Sequence, residues 1–128
     1  MTRGSRGSRG AAVVDFVLIL GLLVPLVLGV LQVALVLFVR NTLASAASEG
    51  ARYAATADHG PGDGIGKARE QLEGVLLSRY ADGIRARPTT IDGAPAIEIV
   101  IHAEIPALGL GGPAFALDVT GHAVEEQP

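Results

Sequence analysis

FVLILGLLVPLVLGVLQVALVLFV, residues 16–39, is the stretch that decides how this chain is read. It runs for 24 residues, and the only side chain in it with strong hydrogen-bonding groups is Gln32. A helix rises about 1.5 Å per residue, so the run reaches roughly 36 Å, against about 30 Å for a bilayer's hydrocarbon core. The apolar core of a cleaved secretory signal is only about 7–15 residues long, and no small-x-small cleavage site follows this run directly. The reading is therefore a single transmembrane helix. Pro25 removes one backbone hydrogen bond and predicts a bend near Gly21 and Val24. Gly21 and Gly29, eight residues apart, fall on roughly one face and suit close helix packing, and Gln32 suits an interhelical hydrogen bond.

On the N-terminal side lies MTRGSRGSRG, a polar tract with three Arg and no acid. It has nothing to bury, so disorder is expected over residues 1–10. Its positive charges, close to the span, predict a cytoplasmic N-terminus and an extracytoplasmic C-terminal domain. The rest of the chain is acidic. Residues 16–128 hold seven basic and twelve acidic residues within a whole-chain net charge of −3. That balance, with few aromatics, argues against nucleic-acid binding. There is no Cys, which rules out disulfides and thiolate metal sites.

Between tail and span stands Asp15, at the edge of an otherwise apolar segment. One reading makes it an acid near a helix N-terminus, favoured by the helix dipole by about 0.3–1 kcal/mol. The other makes it a partner awaiting a cation, because an ionisable group inside an apolar segment is unfavourable unless paired. If the chain were cut after Gly10, Ala11 would carry a new α-amine one turn from Asp15.

On the C-terminal side no breaker follows Val39, so the helix is expected to continue as a stalk toward Asp58. Leu43, Ala46, Ala47, Gly50, Ala51, Ala54 and Ala57 recur at three- and four-residue steps and form a small-residue stripe. Glu49 and Arg52 are three apart and placed to pair. Asp58-His59-Gly60-Pro61-Gly62-Asp63-Gly64 reads as a stop and loop. A second helix is expected from about Ile65 to Tyr80, with Ile65, Ala68, Leu72, Val75 and Leu76 on one face, and with Gly74 either weakening it by roughly 1 kcal/mol or allowing close packing onto the Ala stripe. Three strands follow. Ile84 to Ile91 is an edge strand marked by Pro88, and Asp92-Gly93 is a turn. Ala96 to Ile105 alternates strictly, with Ile97, Ile99, Ile101, Ala103 and Ile105 on one face and Glu98, Val100, His102 and Glu104 on the other. Phe115, Leu117 and Val119 start the last strand, with Gly121 as a candidate bulge. The expected architecture is α+β: a long N-terminal transmembrane helix continuing into a stalk, and a second helix packed on a three-stranded antiparallel sheet. The expected organisation is a basic leader at 1–10, span and stalk at 11–58, and an extracytoplasmic domain at 64–128.

The junction Gly10-Ala11-Ala12-Val13-Val14-Asp15-Phe16, the span, and Glu49-Gly50-Ala51-Arg52 beyond it together resemble the TadE-like family of tight-adherence pilus proteins. The likeness covers about residues 9–56. Asp15 stands where that family usually has Glu, and Pro25 comes ten residues after the acid rather than about six. The resemblance implies a pilin-like fold and a minor pilin or pseudopilin cut by a prepilin peptidase between Gly10 and Ala11. It implies assembly contacts at Asp15, Phe16, Glu49 and Arg52, with the membrane and other pilins or pilus-assembly proteins as partners.

Little catalytic chemistry is legible. There is no nucleophile triad and no phosphate loop, since Asp63-Gly64-Ile65-Gly66-Lys67 lacks the preceding strand and full spacing. His59, His102 and His122 lack metal-ligand spacing, although His102 and His122 would approach if the last two strands pair. No enzyme activity, cofactor, metal or small-molecule substrate is expected. The alternative to the pilin reading is an uncleaved single-span anchor presenting a small protein-binding domain.

Overall fold

A computed structural model of the chain describes residues 6–74, 79, 83–108 and 114–126. The chain divides into two units, Met1–Leu35 and Val36–Pro128. Helix α1 (Arg6–Ala54) contributes to both.

From Phe16 to Leu31 α1 is apolar around its whole circumference, and its large side chains are mostly exposed, Leu22 to 75%. A helix with no polar face has a lipid or protein surround as its natural solvent. By length and composition it is able to cross a membrane. Residues 6–10, expected to be disordered, are helical. Extending an existing helix adds one hydrogen bond per residue without a new nucleus, and this offsets the poor propensity of Gly and Ser. Residues 1–5 lie outside the described residues. Pro25 sits inside the helix, which continues past it.

The second unit is the α+β domain. Around the C-terminal part of α1 are helix α2 (Pro61–Gly74) and strands β1 (Ile84–Ile91), β2 (Ala94–Ile105) and β3 (Phe115–Val124). The strands form one antiparallel sheet in the order β1-β2-β3. The β1–β2 turn has positive φ at both central residues, 50° at Asp92 and 85° at Gly93. That is the type I′ pattern, whose twist matches a hairpin and which Asp-Gly suits. Pro88 lies on edge strand β1, where a missing donor is tolerated.

The core lies between the helices and one sheet face. All five β2 residues expected inside, Ile97, Ile99, Ile101, Ala103 and Ile105, are buried. The small-residue stripe of α1 is buried as well, at Leu43, Ala46, Ala47, Gly50, Ala51 and Ala54. Val39 and Ala55 extend it, whereas Ala57 is exposed because the helix ends at Ala54, before Asp58. There the Thr56 hydroxyl donates to the Tyr53 carbonyl at 2.8 Å, and the Glu126 amide donates to the Ala55 carbonyl at 2.9 Å. The second bond fastens the end of the chain's last strand to the end of its first helix.

Three further expectations need correction. Helix α2 starts at Pro61, not Ile65, because the Gly-rich segment holds a helix start. Pro61 has the φ of a first helical residue and no amide to satisfy. The Asp63 carboxylate reaches back to accept the Gly60 amide at 2.9 Å, the acidic half of a capping box. Its buried face is accordingly Gly64, Ala68 and Leu72, and Ile65 is only half-buried. Val75, Leu76 and Tyr80 lie outside the described residues. Second, of the two readings of Gly74 the close packing does not hold, since a Cβ there would meet nothing. The helices meet at Gly50 and Gly64: a Cβ on Gly50 would lie 2.6 Å from the Gly64 carbonyl oxygen. Third, Gly121 makes no bulge, because β3 pairs with β2 without a skipped residue from Phe115 to Val124. Its Cβ would fall 2.4 Å from the backbone of Ala47 and Ser48. Glycine there lets α1 lie against the sheet.

Candidate assembly surface

The residues expected to act in assembly all lie on α1. Asp15 is exposed, between the exposed apolar side chains of Val14 and Phe16. It has no ion-pair partner among the described residues. Because the helix begins at Arg6, Asp15 lies more than two turns inside it. Dipole stabilisation fades within the first turn, so in the intact chain it does not account for an acid here. A cut at Gly10 would change that: Asp15 would become the fifth residue, beside a free amine. Gly10 and Ala11 are both helical and exposed.

Glu49 and Arg52 flank Gly50 and Ala51, which are both fully inside the core. They do not pair with each other among the described residues. Arg52 is exposed, while Glu49 is half-buried and faces α2. Lys67 on α2 donates to the Glu70 carboxylate at 3.1 Å, and this bond holds its ammonium above the ordinary lysine value. The field of Glu49 adds to that effect. Lys67 also lies 6.0 Å from the Tyr53 ring centroid, and the Tyr53 and His59 rings meet at 4.1 Å, tilted by 49°. The segment divides as the stripe implies: Gly50 packs against α2 and Ala51 is buried, while Glu49 borders that contact and Arg52 is exposed.

The outer sheet face carries a row that reading the sequence missed. Arg87, Glu98 and His122 stand opposite one another on the three strands. The Arg87 guanidinium Nε donates to Glu98 Oε2, and His122 Nε2 lies 3.6 Å from Glu98 Oε1. Flanked on both sides, Glu98 is only 9% exposed, although it was expected on an open polar face. The bond from Arg87 holds its carboxyl below the ordinary glutamate value of 4.5. Part of this row was countable. Equal steps back from the Asp92-Gly93 turn bring Arg87 opposite Glu98, whereas the β2–β3 connection offers no such count.

His102 and His122 do not meet. They stand opposite Asp118 and Glu98 respectively, and His102 Nδ1 lies 2.7 Å from Asp118 Oδ1. Among the described residues no three His, Asp or Glu side chains come together as metal ligands. Each histidine is accounted for by a cross-strand acid or, for His59, by the Thr56 hydroxyl at 2.9 Å.

Compared with known proteins, residues 10–52 match the family model described as TadE-like protein. The match starts at the Gly10-Ala11 junction and ends on Arg52, so it takes in every residue of α1 expected to act in assembly. No curated protein and no solved structure matches the chain.

Proposed function

With a TadE-like segment over residues 10–52 as its premise, we propose that the chain is a minor pilin or pseudopilin that takes part in assembling a tight-adherence pilus. It enters the membrane by α1, N-terminus in the cytoplasm and α+β domain outside. A prepilin peptidase hydrolyses the Gly10–Ala11 bond, and the freed Ala11 amine becomes the cation for Asp15 of its own or a neighbouring helix. The protein performs no catalysis of its own; its partners are the peptidase and other pilins or pilus-assembly proteins.

The observation that carries this reading is Asp15: an acid without a partner among the described residues, beyond reach of the helix dipole, in an apolar surface inside the matched segment. An ionisable group in such a place is expected to be paired when lipid or protein surrounds it. The Asp15→Ala variant is expected to insert into the membrane and to be cut, yet to be missing from sheared pili. Normal incorporation of that variant would overturn the role given to Asp15.

One feature favours the alternative of an uncleaved anchor. The Gly10–Ala11 bond lies within α1, and a peptidase must unwind a helix to reach such a bond. Intact mass of the protein from native membranes separates the two. A chain starting at Ala11 supports the pilin reading, and one retaining residues 1–10 beside an active prepilin peptidase supports the anchor.

A further inference from the structure

The sheet has two free edges of different build. Among the described residues nothing pairs with the far side of β1 or of β3. β1 is blunted by Pro88 in mid-strand and by Arg85 and Arg87. β3, FALDVTGHAV, holds no Pro, Lys or Arg. Its backbone donors and acceptors are therefore left ready for another strand.

The two edges also carry complementary charges on the outer sheet face. Arg85 on β1 is exposed and has no ion-pair partner among the described residues. The Asp118 side chain on β3 is 67% exposed. His102 lies against its Oδ1, and its Oδ2 has no partner among the described residues. Val100 and His102 of β2 stand between Arg85 and Asp118, so the two do not pair within one copy.

We propose that β3 of one copy adds to β1 of a second copy, with Asp118 against the second copy's Arg85. The inference rests on the pilin reading and names one contact made in assembly. The occupant is a second copy because the two edges match in charge and in direction. β1 and β3 are both antiparallel to β2, so they run parallel to each other. Copies standing side by side the same way up bring β3 to β1 as a parallel pair. Pairing β3 with another β3 in antiparallel fashion would invert one copy. Gly121 lies against Ala47 and Glu126 bonds to Ala55, so β3 and α1 advance together. The inverted copy's α1 would point backwards, whereas copies inserted in one membrane share a direction.

The charges also fix a register. Through β2, Arg85 stands level with Thr120, two residues past Asp118. Asp118 meets the second copy's Arg85 when that copy is displaced by two residues, about 7 Å along the strand. Without the displacement His122 would face Arg87. Residues 117–120 then lie against 84–87, ahead of Pro88. So short a pairing is marginal alone, and it holds among copies already gathered by their membrane helices. A contact between unlike edges with a fixed displacement does not close into a ring. It continues as an open helix of copies, the form of a fibre.

The chain has no Cys, so every disulfide is an introduced one. The full chain carrying both Arg85→Cys and Asp118→Cys is expressed in cells with an active prepilin peptidase, and membranes and sheared pili are briefly oxidised. Neighbouring strands lie about 4.8 Å apart, within disulfide reach. The expected result is a ladder of two, three and more linked chains, absent from either single variant. A linked dimer from Thr120→Cys, with no ladder from the double variant, would assign β3 to the inverted pairing and overturn the inference. Protein present in pili without a ladder would overturn it and leave the pilin reading standing. Protein absent from pili would count against the pilin reading; a ladder in the membranes would still uphold the contact, and no ladder there would overturn both. Charge reversal is the second measurement. Arg85→Asp should lose the protein from sheared pili, and adding Asp118→Arg should restore it. Failure of the second change to restore it would overturn the ion pair.

Discussion

Helix α1 contains two stretches that treat side-chain size in opposite ways. Over residues 16–38 the large side chains, Leu, Val, Ile and Phe, are mostly exposed. From Val39 to Ala54 the buried positions are chiefly Ala and Gly, with Val39 and Leu43 as the larger exceptions. The difference lies in what surrounds each stretch. Lipid accommodates bulky apolar surface without demanding a fitted shape. A helix lying on a second helix and a sheet must let backbones come close, and small residues permit that. Within one helix, an exposed leucine and a buried alanine can each be the apolar choice.

The largest effect should come from breaking the close approach at the sheet. Gly121→Val places side-chain atoms where Ala47 and Ser48 backbone already lies. Rigid backbone cannot yield as a flexible side chain does, so the domain should lose about 3 kcal/mol or more. Pulse proteolysis in detergent micelles should show it largely unfolded while membrane insertion is unaffected.

Removing the one large side chain at the centre of the stripe comes next. Leu43 is 0% exposed, and Leu43→Ala should destabilise the domain by about 3 kcal/mol through lost burial and a cavity. Leu22→Ala, on the exposed stretch of the same helix, should leave the domain's stability unchanged in the same assay. Equal losses from both would erase the distinction between the stretches.

Gly50→Ala sharpens the contrast with a single methyl group. Its Cβ meets the Gly64 carbonyl oxygen and Ala68 Cβ, so a loss of about 2 kcal/mol is expected. At Gly21 and Gly29 a Cβ meets nothing, and Ala there should leave the domain's melting temperature where it was. A helix that destabilises only at Gly50 has its tight contact in the domain; loss of pilus incorporation from Gly21→Ala would reveal a second one, made on assembly.

The smallest effect concerns the outer sheet face. The Glu98 carboxyl is held below its ordinary value by Arg87. Its contribution to stability is therefore present above pH 4.5 and is lost as the pH falls through the depressed value. Melting temperature followed downward from pH 6 should decline across that window. Glu98→Gln, which has no proton to gain, should decline less steeply.

Much of this was legible because it depends on local pattern. The span follows from an unbroken apolar run, the strands from alternation and an Asp-Gly turn, and the stripe from its spacing. The junction and the Glu-Gly-Ala-Arg segment carried the family resemblance that the match over residues 10–52 bears out. What was not legible depends on what touches what. Gly121 in a strand signals either a bulge or a close approach, and only the position of α1 decides between them. Pro61 to Gly64 resembles a loop until Asp63 caps Gly60. Glu98 belongs by alternation to an open face, yet two neighbouring strands enclose it.

The seating of Gly121 on Ala47 also sets a timetable for biosynthesis. The two residues are 74 positions apart. At about 5–20 residues per second, synthesis needs roughly 4–15 s to supply β3 after the Ala stripe has emerged. For that interval the stripe is a bare groove on a newly made helix, without the strand that will close it. The nascent chain is thus most open to chaperones and to mispairing in the seconds before its final strand arrives.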